Sequence, residues 1–150
     1  MTQSSKVPAG YHSLQPYLMF VNTVEAIAFY TKVFGATEKL VMKAPEGRVA
    51  HAEIAIGDSV VMMADENPEI QAFAAGHYGG SPVSLMLYVE DCDATYAAAI
   101  AAGATSLREP ADQPYGDRMA GIVDPFGYKW WVAHSIAGQN PSESAPEAAQ

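Results

Sequence analysis

The chain has 150 residues, the usual size of one folded domain, which argues against a multidomain machine. Hydrophobic residues make up 49% of it and charged residues 17%, a composition that excludes disorder for most of the chain. The 8 Lys and Arg against 17 Asp and Glu give a net charge of −9, the wrong sign for nucleic acid or an anionic membrane surface.

Cysteine usage and hydropathy indicate a cellular compartment. The single cysteine, Cys92, excludes an internal disulfide and a Cys-rich metal site, and it is compatible with a reducing cytosol. No apolar run reaches the roughly 18 residues of a membrane span, and the opening MTQSSKVPAGYHS lacks the apolar segment of a secretory signal. These features predict a cytoplasmic protein with no membrane and no nucleic acid among its partners.

The first elements in chain order are a short apolar strand, PYLMFV, and an Ala-rich helix within VNTVEAIAFYTKVFGATE. Gly35 lies where a left-handed cap would end this helix. Strand-like EKLVMKAP, RVAHAEIAI and SVVMMADE follow, the last two joined by a hairpin turn at Gly57 and Asp58. Apolar residues of the helix recur at helical spacing: Ala26, Ile27, Tyr30, Val33 and Phe34.

The same plan repeats after a loop of about 67–81, which we interpret as a linker and a possible lid. VSLMLYV is the strand, VEDCDATYAAAIAAGATS contains the helix with its cap at Gly103, and ATSLREP, DRMAGIVD and YKWWVAHS are the later strands. The two helical segments align at an offset of 68 residues, and both end in Gly-Ala-Thr. Each half is therefore predicted to be one β-α-β-β-β module.

Such modules are too small to bury their sheet faces alone, so we expect them to pair. The predicted fold is α+β, with two paired βαβββ modules forming one curved mixed sheet around a concave cavity. We predict one domain over residues 1–137, with the first module at about 13–66 and the second at about 82–137. Residues 138–150 have no apolar periodicity and are predicted to be a disordered tail.

In this order and spacing the motifs resemble the vicinal oxygen chelate superfamily, also called the glyoxalase/bleomycin-resistance/dioxygenase fold. The resemblance covers about Tyr11 to Ser135 and is closest to the PhnB-like branch. It is carried by PYLMFV, AIAFYTKVFGAT, HAEIAIGDSVVMMADE, SLMLYVEDCDA and YGDRMAGIVDPFGYKWWVAH. It implies a homodimer, since relatives often complete their pockets with a neighbouring chain.

Metal-dependent members of the superfamily hold a divalent ion with four ligands, usually His and Glu, on the first and last strands of each module. The resemblance places these positions at Gln15, Met62, Ser84 and Trp131, and a slip of one residue would bring in Pro16, Val61, Met63, Val83, Leu85, Trp130 or Val132. The thioether, indole and alkyl groups among these side chains cannot hold a hard divalent cation. We therefore expect no metal at these positions and an apolar, aromatic floor instead.

RVAHAEIAI alternates between small or aliphatic residues and a polar set. Ala50, Ala52, Ile54 and Ile56 are predicted to pack on a helix. His51 and Glu53 then point into the concave side, where a carboxylate can orient an imidazole for acid–base work, and they are the candidate catalytic residues. The alternatives are a solvated strand face or a structural ion pair with Arg48 or Arg118.

The remaining candidates are ligand contacts. Arg118 is placed to clamp a carboxylate or phosphate through its fork of donors, or else is a strand residue held in a salt bridge. Other aromatic and methionine side chains, such as Met19 and Tyr88, are expected either to line the pocket or to belong to the core. The full predicted contact set is Gln15, Tyr17, Met62, Ser84, Met86, Tyr115, Arg118 and Trp131.

The remaining histidines and the single cysteine are not predicted to be part of the site. His12 and His77 lie in predicted loops and are expected at the surface, and His134 is expected to face the helix layer or solvent. Cys92 begins a helix, but the flanking aspartates oppose a thiolate. No phosphate loop, dinucleotide motif or G-x-S-x-G elbow is present, so no cofactor is predicted.

Together these features predict a protein that binds or sequesters a small, partly aromatic molecule without a metal, and the resemblance implies that it is a homodimer. The acidic body favours a cationic ligand unless Arg118 reverses this locally. The alternative is a lyase or isomerase in which His51, oriented by Glu53, is the general base for a substrate held by Arg118 and Tyr115. A third possibility is a metal relocated to His51 and Glu53, although catalytic zinc sites ordinarily use three protein ligands.

Overall fold

The computed structural model describes residues 6–139, and the chain divides into two compact units, Met1–His77 and Tyr78–Gln150. None of the helices in the described part is long and apolar enough to cross a membrane. Of the predicted disordered tail, residues 138–139 belong to a short 3₁₀ helix, Ala137–Gln139, and residues 140–150 lie outside the described part.

The first unit contains one helix and one four-stranded sheet. In the sheet order β1-β4-β3-β2, β1 runs parallel to β4 and the other neighbours are antiparallel. The predicted linker contains two 3₁₀ helices, Pro68–Ile70 and Ala75–Tyr78. The elements are β1 (Tyr17–Phe20), α1 (Thr23–Phe34), β2 (Thr37–Lys43), β3 (Val49–Ile56) and β4 (Ser59–Asp65).

The second unit repeats this plan. Its sheet order is β5-β8-β7-β6, with β5 parallel to β8 and the other neighbours antiparallel. The predicted βαβββ modules and the α+β class are therefore confirmed, and strand pairing gives each unit its own four-stranded sheet in place of one shared sheet. The elements are β5 (Ser84–Tyr88), α2 (Cys92–Ala101), β6 (Thr105–Asp112), β7 (Asp117–Val123) and β8 (Lys129–Ser135).

At the start of each helix, a side chain from the last strand of the same unit accepts a hydrogen bond from a backbone N–H group. A carboxylate oxygen of Asp65 accepts the Thr23 N–H at 2.8 Å in the first unit, and Nδ1 of His134 accepts the Cys92 N–H at 2.8 Å in the second. These bonds satisfy amide groups that have no partner within the helix. His134 thus faces the helix layer, as the strand alternation predicts.

The alternation predicted along β3 holds from residue 51 onward. Ala52, Ile54 and Ile56 are buried, as expected for the face toward α1. Ala50 is exposed and Val49 is buried in its place. The reason is a bulge: Met42 pairs with His51 while Lys43 pairs with Val49, so Ala50 is the extra residue and the alternation shifts.

The turn between β7 and β8 is organised by one buried carboxylate. Asp124 is 4% exposed and accepts hydrogen bonds from the backbone N–H of Phe126 at 2.9 Å and of Tyr128 at 3.0 Å. It also accepts the indole N–H of Trp130 at 2.9 Å. The Asp-Pro-Phe-Gly motif is therefore a structural device that fixes the hairpin carrying β8.

Candidate functional site

The strand register of the first unit places three side chains side by side on the face away from α1. Tyr17 on β1 pairs with Met62 on β4, and Met62 pairs in turn with Glu53 on β3. His51, two residues before Glu53, lies on the same face because side chains alternate along a strand. We call Tyr17, His51, Glu53 and Met62 the polar face.

His51 and Glu53, the predicted catalytic pair, are hydrogen bonded to each other. Nε2 of His51 lies 2.8 Å from Oε2 of Glu53. Arg48, one of the cations considered for a structural ion pair, is instead 3.3 Å from Glu46. The carboxylate therefore orients the imidazole, as the alternation along β3 predicts.

The pair extends at both ends into a chain of four side chains. The hydroxyl of Tyr11 donates to Oε1 of Glu53, and the hydroxyl of Tyr17 lies 2.8 Å from Nδ1 of His51. The ammonium of Lys39 sits 4.3 Å from the centre of the Tyr11 ring. Tyr11 was not predicted as a site residue from the sequence. The one indication in the sequence is a tyrosine in a polar segment just before the first strand.

The contacts of Glu53 shift the pKa values around it. The hydrogen bond from Tyr11 lowers the pKa of Glu53, and the hydrogen bond and charge of His51 act in the same direction against the effect of burial. The same hydrogen bond raises the pKa of Tyr11. Burial, with the nearby charge of Glu53, raises the pKa of Tyr17. Near neutral pH the carboxylate is therefore ionised and both phenols are protonated.

The lowered pKa of Glu53 predicts a pH dependence of stability. A carboxyl whose pKa is lower in the folded state stabilises the fold above its unfolded pKa of about 4.3, and this contribution is lost as the pH falls through the folded value. Urea unfolding of the wild type over an acidic pH series should show this loss, and Glu53→Gln should flatten it. Tyr11→Phe should flatten it less, because only one hydrogen bond is removed. An unchanged slope in Glu53→Gln would contradict the assignment.

The second unit has the corresponding face without the polar chain. Met86 on β5 pairs with Trp131 on β8, and Trp131 pairs with Gly121 on β7. A Cβ at Gly121 would lie 2.4 Å from Cζ3 of the indole, so the ring occupies the space that glycine leaves. Met86 is 47% exposed beside it. We call Gly121, Trp131, Met86 and Met119 the aromatic face.

Two phenols border the aromatic face. The hydroxyl of Tyr88 donates to Asp117 at 2.8 Å, and this hydrogen bond raises the pKa of Tyr88. The hydroxyl of Tyr115 donates to the sulfur of Met119 at 3.5 Å. Tyr88 is 63% exposed, so it is not a core residue. Both rings are thus fixed by their hydroxyl groups and remain accessible.

Arg118 points to the opposite side of its sheet. Its Nε and Nη2 bind the carboxylate of Asp93 on α2 at 2.6 and 2.8 Å, and its Nη1 binds Asp112 at 3.0 Å. The guanidinium lowers the pKa of Asp93 through the paired hydrogen bonds. Because Arg118 follows Asp117 and precedes Met119 on β7, alternation places it toward α2. This arrangement matches the alternative of a salt-bridged strand residue.

The positions that the superfamily resemblance assigns to metal ligands do not fit a metal. Gln15 precedes β1, and its side-chain oxygen accepts the His12 N–H at 2.6 Å. Ser84 opens β5 and is exposed, while Met62 and Trp131 offer a thioether and an indole. Within residues 6–139, no group of three or more His, Cys, Asp or Glu side chains could hold a metal ion.

Among the remaining candidates, His12 and His77 are exposed, as predicted. The ring of His77 stacks on Phe73 with the centroids 4.0 Å apart. Cys92 is fully buried and its thiol donates to the Val132 carbonyl oxygen at 3.3 Å. Burial, with the charge of Asp93, raises the pKa of the thiol. A protonated thiol inside the core is an unreactive one.

Comparison with known proteins gives a consistent family. The sequence model of the Glyoxalase/Bleomycin resistance protein/Dioxygenase superfamily matches residues 13–132. An uncharacterised protein of Mycobacterium bovis is 34% identical over 134 residues, which is 87% of this chain and 88% of the relative. An uncharacterised protein of Mycobacterium tuberculosis is also 34% identical over 134 residues, covering 87% of this chain and 79% of its own length.

Solved structures match at the level of the fold. A Pseudomonas aeruginosa protein, PA1353, superposes with a TM-score of 0.67 at 24% identity, covering 82% of this chain and 98% of the other. A Bacillus cereus PhnB protein, described as a putative 3-demethylubiquinone-9 3-methyltransferase, gives 0.65 at 20% identity, covering 83% and 100%. TioX from Micromonospora sp. ML1 gives 0.64 at 22%, covering 83% and 96%.

Proposed function

Because the chain belongs to the Glyoxalase/Bleomycin resistance protein/Dioxygenase superfamily, we propose that it binds a small, partly aromatic ligand without a metal. The observation that carries the proposal is the indole of Trp131, which lies over Gly121 and remains half-buried on an open sheet face. The positions where this superfamily would place metal ligands carry no set of donor atoms that suits a metal ion.

The aromatic face has the chemistry that such a ligand requires. An indole stacks on aromatic rings, and a well-placed pair is worth about 0.5–1.5 kcal/mol beyond the area it buries. Met86 pairs with Trp131 across the sheet, and Met119 lies on the same face of β7 as Gly121. Both carry polarizable thioethers, which adapt to ligands of different shape. Met62 holds the position in the first unit that Trp131 holds in the second.

The finer parts of this proposal rest on the sequence resemblance. We propose a cytoplasmic homodimer of the PhnB-like branch. The net charge of −9 supports a cationic over an anionic ligand, and the salt bridges of Arg118 to Asp93 and Asp112 support this further because they occupy its guanidinium.

A neutral fluorescent aromatic probe, N-phenyl-1-naphthylamine, tests the binding site. Trp131→Asp and Met86→Asp should each weaken its binding at least about tenfold, a change of about 1.4 kcal/mol, because each places a charge in the apolar contact of the aromatic face. Val24→Asp is the matched control, since Val24 is an exposed apolar residue of α1, 53% accessible. Size-exclusion chromatography should show the same oligomeric state for all four proteins. Probe binding that survives both aspartates would contradict the proposal.

A second candidate function is favoured by the 2.8 Å hydrogen bond between His51 and Glu53. In this candidate the chain is a lyase or isomerase in which His51, oriented by Glu53, accepts a proton from the substrate. An imidazole is suited to this work because it exchanges protons near neutral pH. His51→Gln should then keep affinity for the probe and lose turnover.

A further inference from the structure

We propose that Tyr17 is the residue through which the polar face exchanges a proton with its ligand, and that His51, Glu53 and Tyr11 lie behind it as a relay. The ligand is then a small carbonyl compound with an acidic carbon-bound proton. This inference rests on the second candidate function and assigns the proton transfer with the ligand to the phenol of Tyr17, where the sequence assigned it to His51.

The direction of the hydrogen bonds follows from the chemistry of the groups. An ionised Glu53 can only accept, so it takes a proton from Tyr11 at one oxygen and from Nε2 of His51 at the other. A neutral imidazole carries one N–H, which leaves Nδ1 as an acceptor. Nδ1 must then accept the hydroxyl of Tyr17, 2.8 Å away. All the donors therefore point inward, toward the carboxylate.

Exposure rises from Glu53 through His51 to Tyr17. The side chain of Glu53 is 7% exposed and that of His51 27%, while Tyr17 is 47% exposed. Both ring nitrogens of His51 are already engaged, by Glu53 and by Tyr17. A ligand on this face therefore meets Tyr17 before His51 or Glu53, and the carboxylate lies buried between His51 and Tyr11.

The proton transfer balances without a co-reactant. A carbon-bound proton next to a ligand carbonyl passes to the Tyr17 oxygen while the Tyr17 proton passes to Nδ1 of His51, and the C–H electron pair forms the enolate. The relay has gained one proton, held as an imidazolium against Glu53. The reverse transfer to a neighbouring carbon completes an isomerisation. Burial and the charge of Glu53 raise the pKa of Tyr17, which keeps it a phenol between transfers.

The hydrogen-bond direction is tested by long-range ¹H–¹⁵N NMR of protein labelled at histidine. His51 should carry its proton on Nε2, and Tyr17→Phe should shift the Nδ1 resonance alone. Tyr11→Phe, which removes a positioning residue, should let the other tautomer appear. Tyr96→Phe is the matched control, because the Tyr96 hydroxyl donates a hydrogen bond of the same length, 2.8 Å, to Ser106 in the second unit. A wild-type proton on Nδ1 would overturn the proposal.

The transfer itself is tested with phenylacetone in D₂O, by following the loss of its benzylic proton signal. Tyr17→Phe and His51→Gln should each slow exchange at least about 100-fold, the usual size of a general acid–base contribution, and Tyr96→Phe should leave it unchanged. Exchange lost in His51→Gln but kept in Tyr17→Phe would overturn the proposal and leave the second candidate function standing. Wild-type exchange no faster than that of His51→Gln would overturn both.

Discussion

Replacing Asp124 with alanine is expected to lower the free energy of unfolding by about 3–5 kcal/mol, the largest effect of any single change considered for this chain. The carboxylate is 4% exposed and accepts two backbone N–H groups and the indole N–H of Trp130. Alanine leaves these donors without the charged acceptor that they meet in the folded chain. Urea unfolding followed by circular dichroism measures the loss.

Asp58 provides the control for this prediction. It lies in the corresponding turn of the first unit, between β3 and β4, is exposed, and accepts only the hydroxyl of the neighbouring Ser59. Asp58→Ala should therefore change stability by less than about 0.5 kcal/mol, as surface substitutions usually do. Trp130→Phe removes one of the donors to Asp124, so its loss of stability should fall between those of Asp58→Ala and Asp124→Ala. Equal losses for Asp58→Ala and Asp124→Ala would contradict the structural role.

Gly121→Ala is expected to lower the free energy of unfolding by about 1–3 kcal/mol, the usual cost of overpacking, and to displace the indole of Trp131. An added Cβ would lie 2.4 Å from Cζ3 and 2.7 Å from Cε3 of the ring. Since Gly121 sits within β7 and pairs directly with Trp131, the half-buried ring has to tilt away. Unfolding experiments give the stability, and the tryptophan emission spectrum reports the movement.

A double-mutant cycle isolates the contact. In the Trp131→Ala background the ring is gone, so Gly121→Ala should cost much less than in the wild type. A coupling energy of about 0.5–3 kcal/mol is expected for residues in direct contact. The Gly121→Ala variant should also bind N-phenyl-1-naphthylamine more weakly, because the stacking surface is displaced. Additive losses would show that the two residues do not share this space.

The two units share one order of helix and strands, but their matching sheet faces carry different side chains. Glu53 and Gly121 occupy matching places, each paired across the sheet with Met62 or Trp131. In the first unit a carboxylate, an imidazole and two phenols fill the face. In the second unit glycine removes the side chain and an indole lies in its place.

Much of the fold followed from local patterns in the sequence. Helical spacing, period-two alternation and glycines at turns predicted both helices and all eight strands within a few residues. Gly35 has a φ of 68°, the left-handed conformation expected at the end of α1. The offset of 68 residues between the helical segments revealed the repeat, and matching strand orders in the two units confirmed it.

Among the hydrogen bonds of the site, the sequence predicted only the one between residues of a single strand. His51 and Glu53 are two residues apart on β3, so alternation alone was enough to pair them. Tyr11 and Tyr17 are 42 and 34 residues from their hydrogen-bond partners, and no periodic signal connects residues so far apart. The bulge that exposes Ala50 likewise depends on how β2 pairs with β3.

Arg118 and Asp124 show the same division between sequence and structure. The sequence offered Arg118 as a ligand clamp or as a salt-bridged strand residue, and only the packing of α2 against its sheet brought Asp93 to it. The strands on either side of the turn at Asp124 were predicted from the sequence, but the hydrogen bond from the Trp130 indole that anchors this turn was not. Local patterns determine which elements form, because they act between neighbours along the chain. Hydrogen bonds between distant side chains depend on strand order and register, which only the tertiary structure decides.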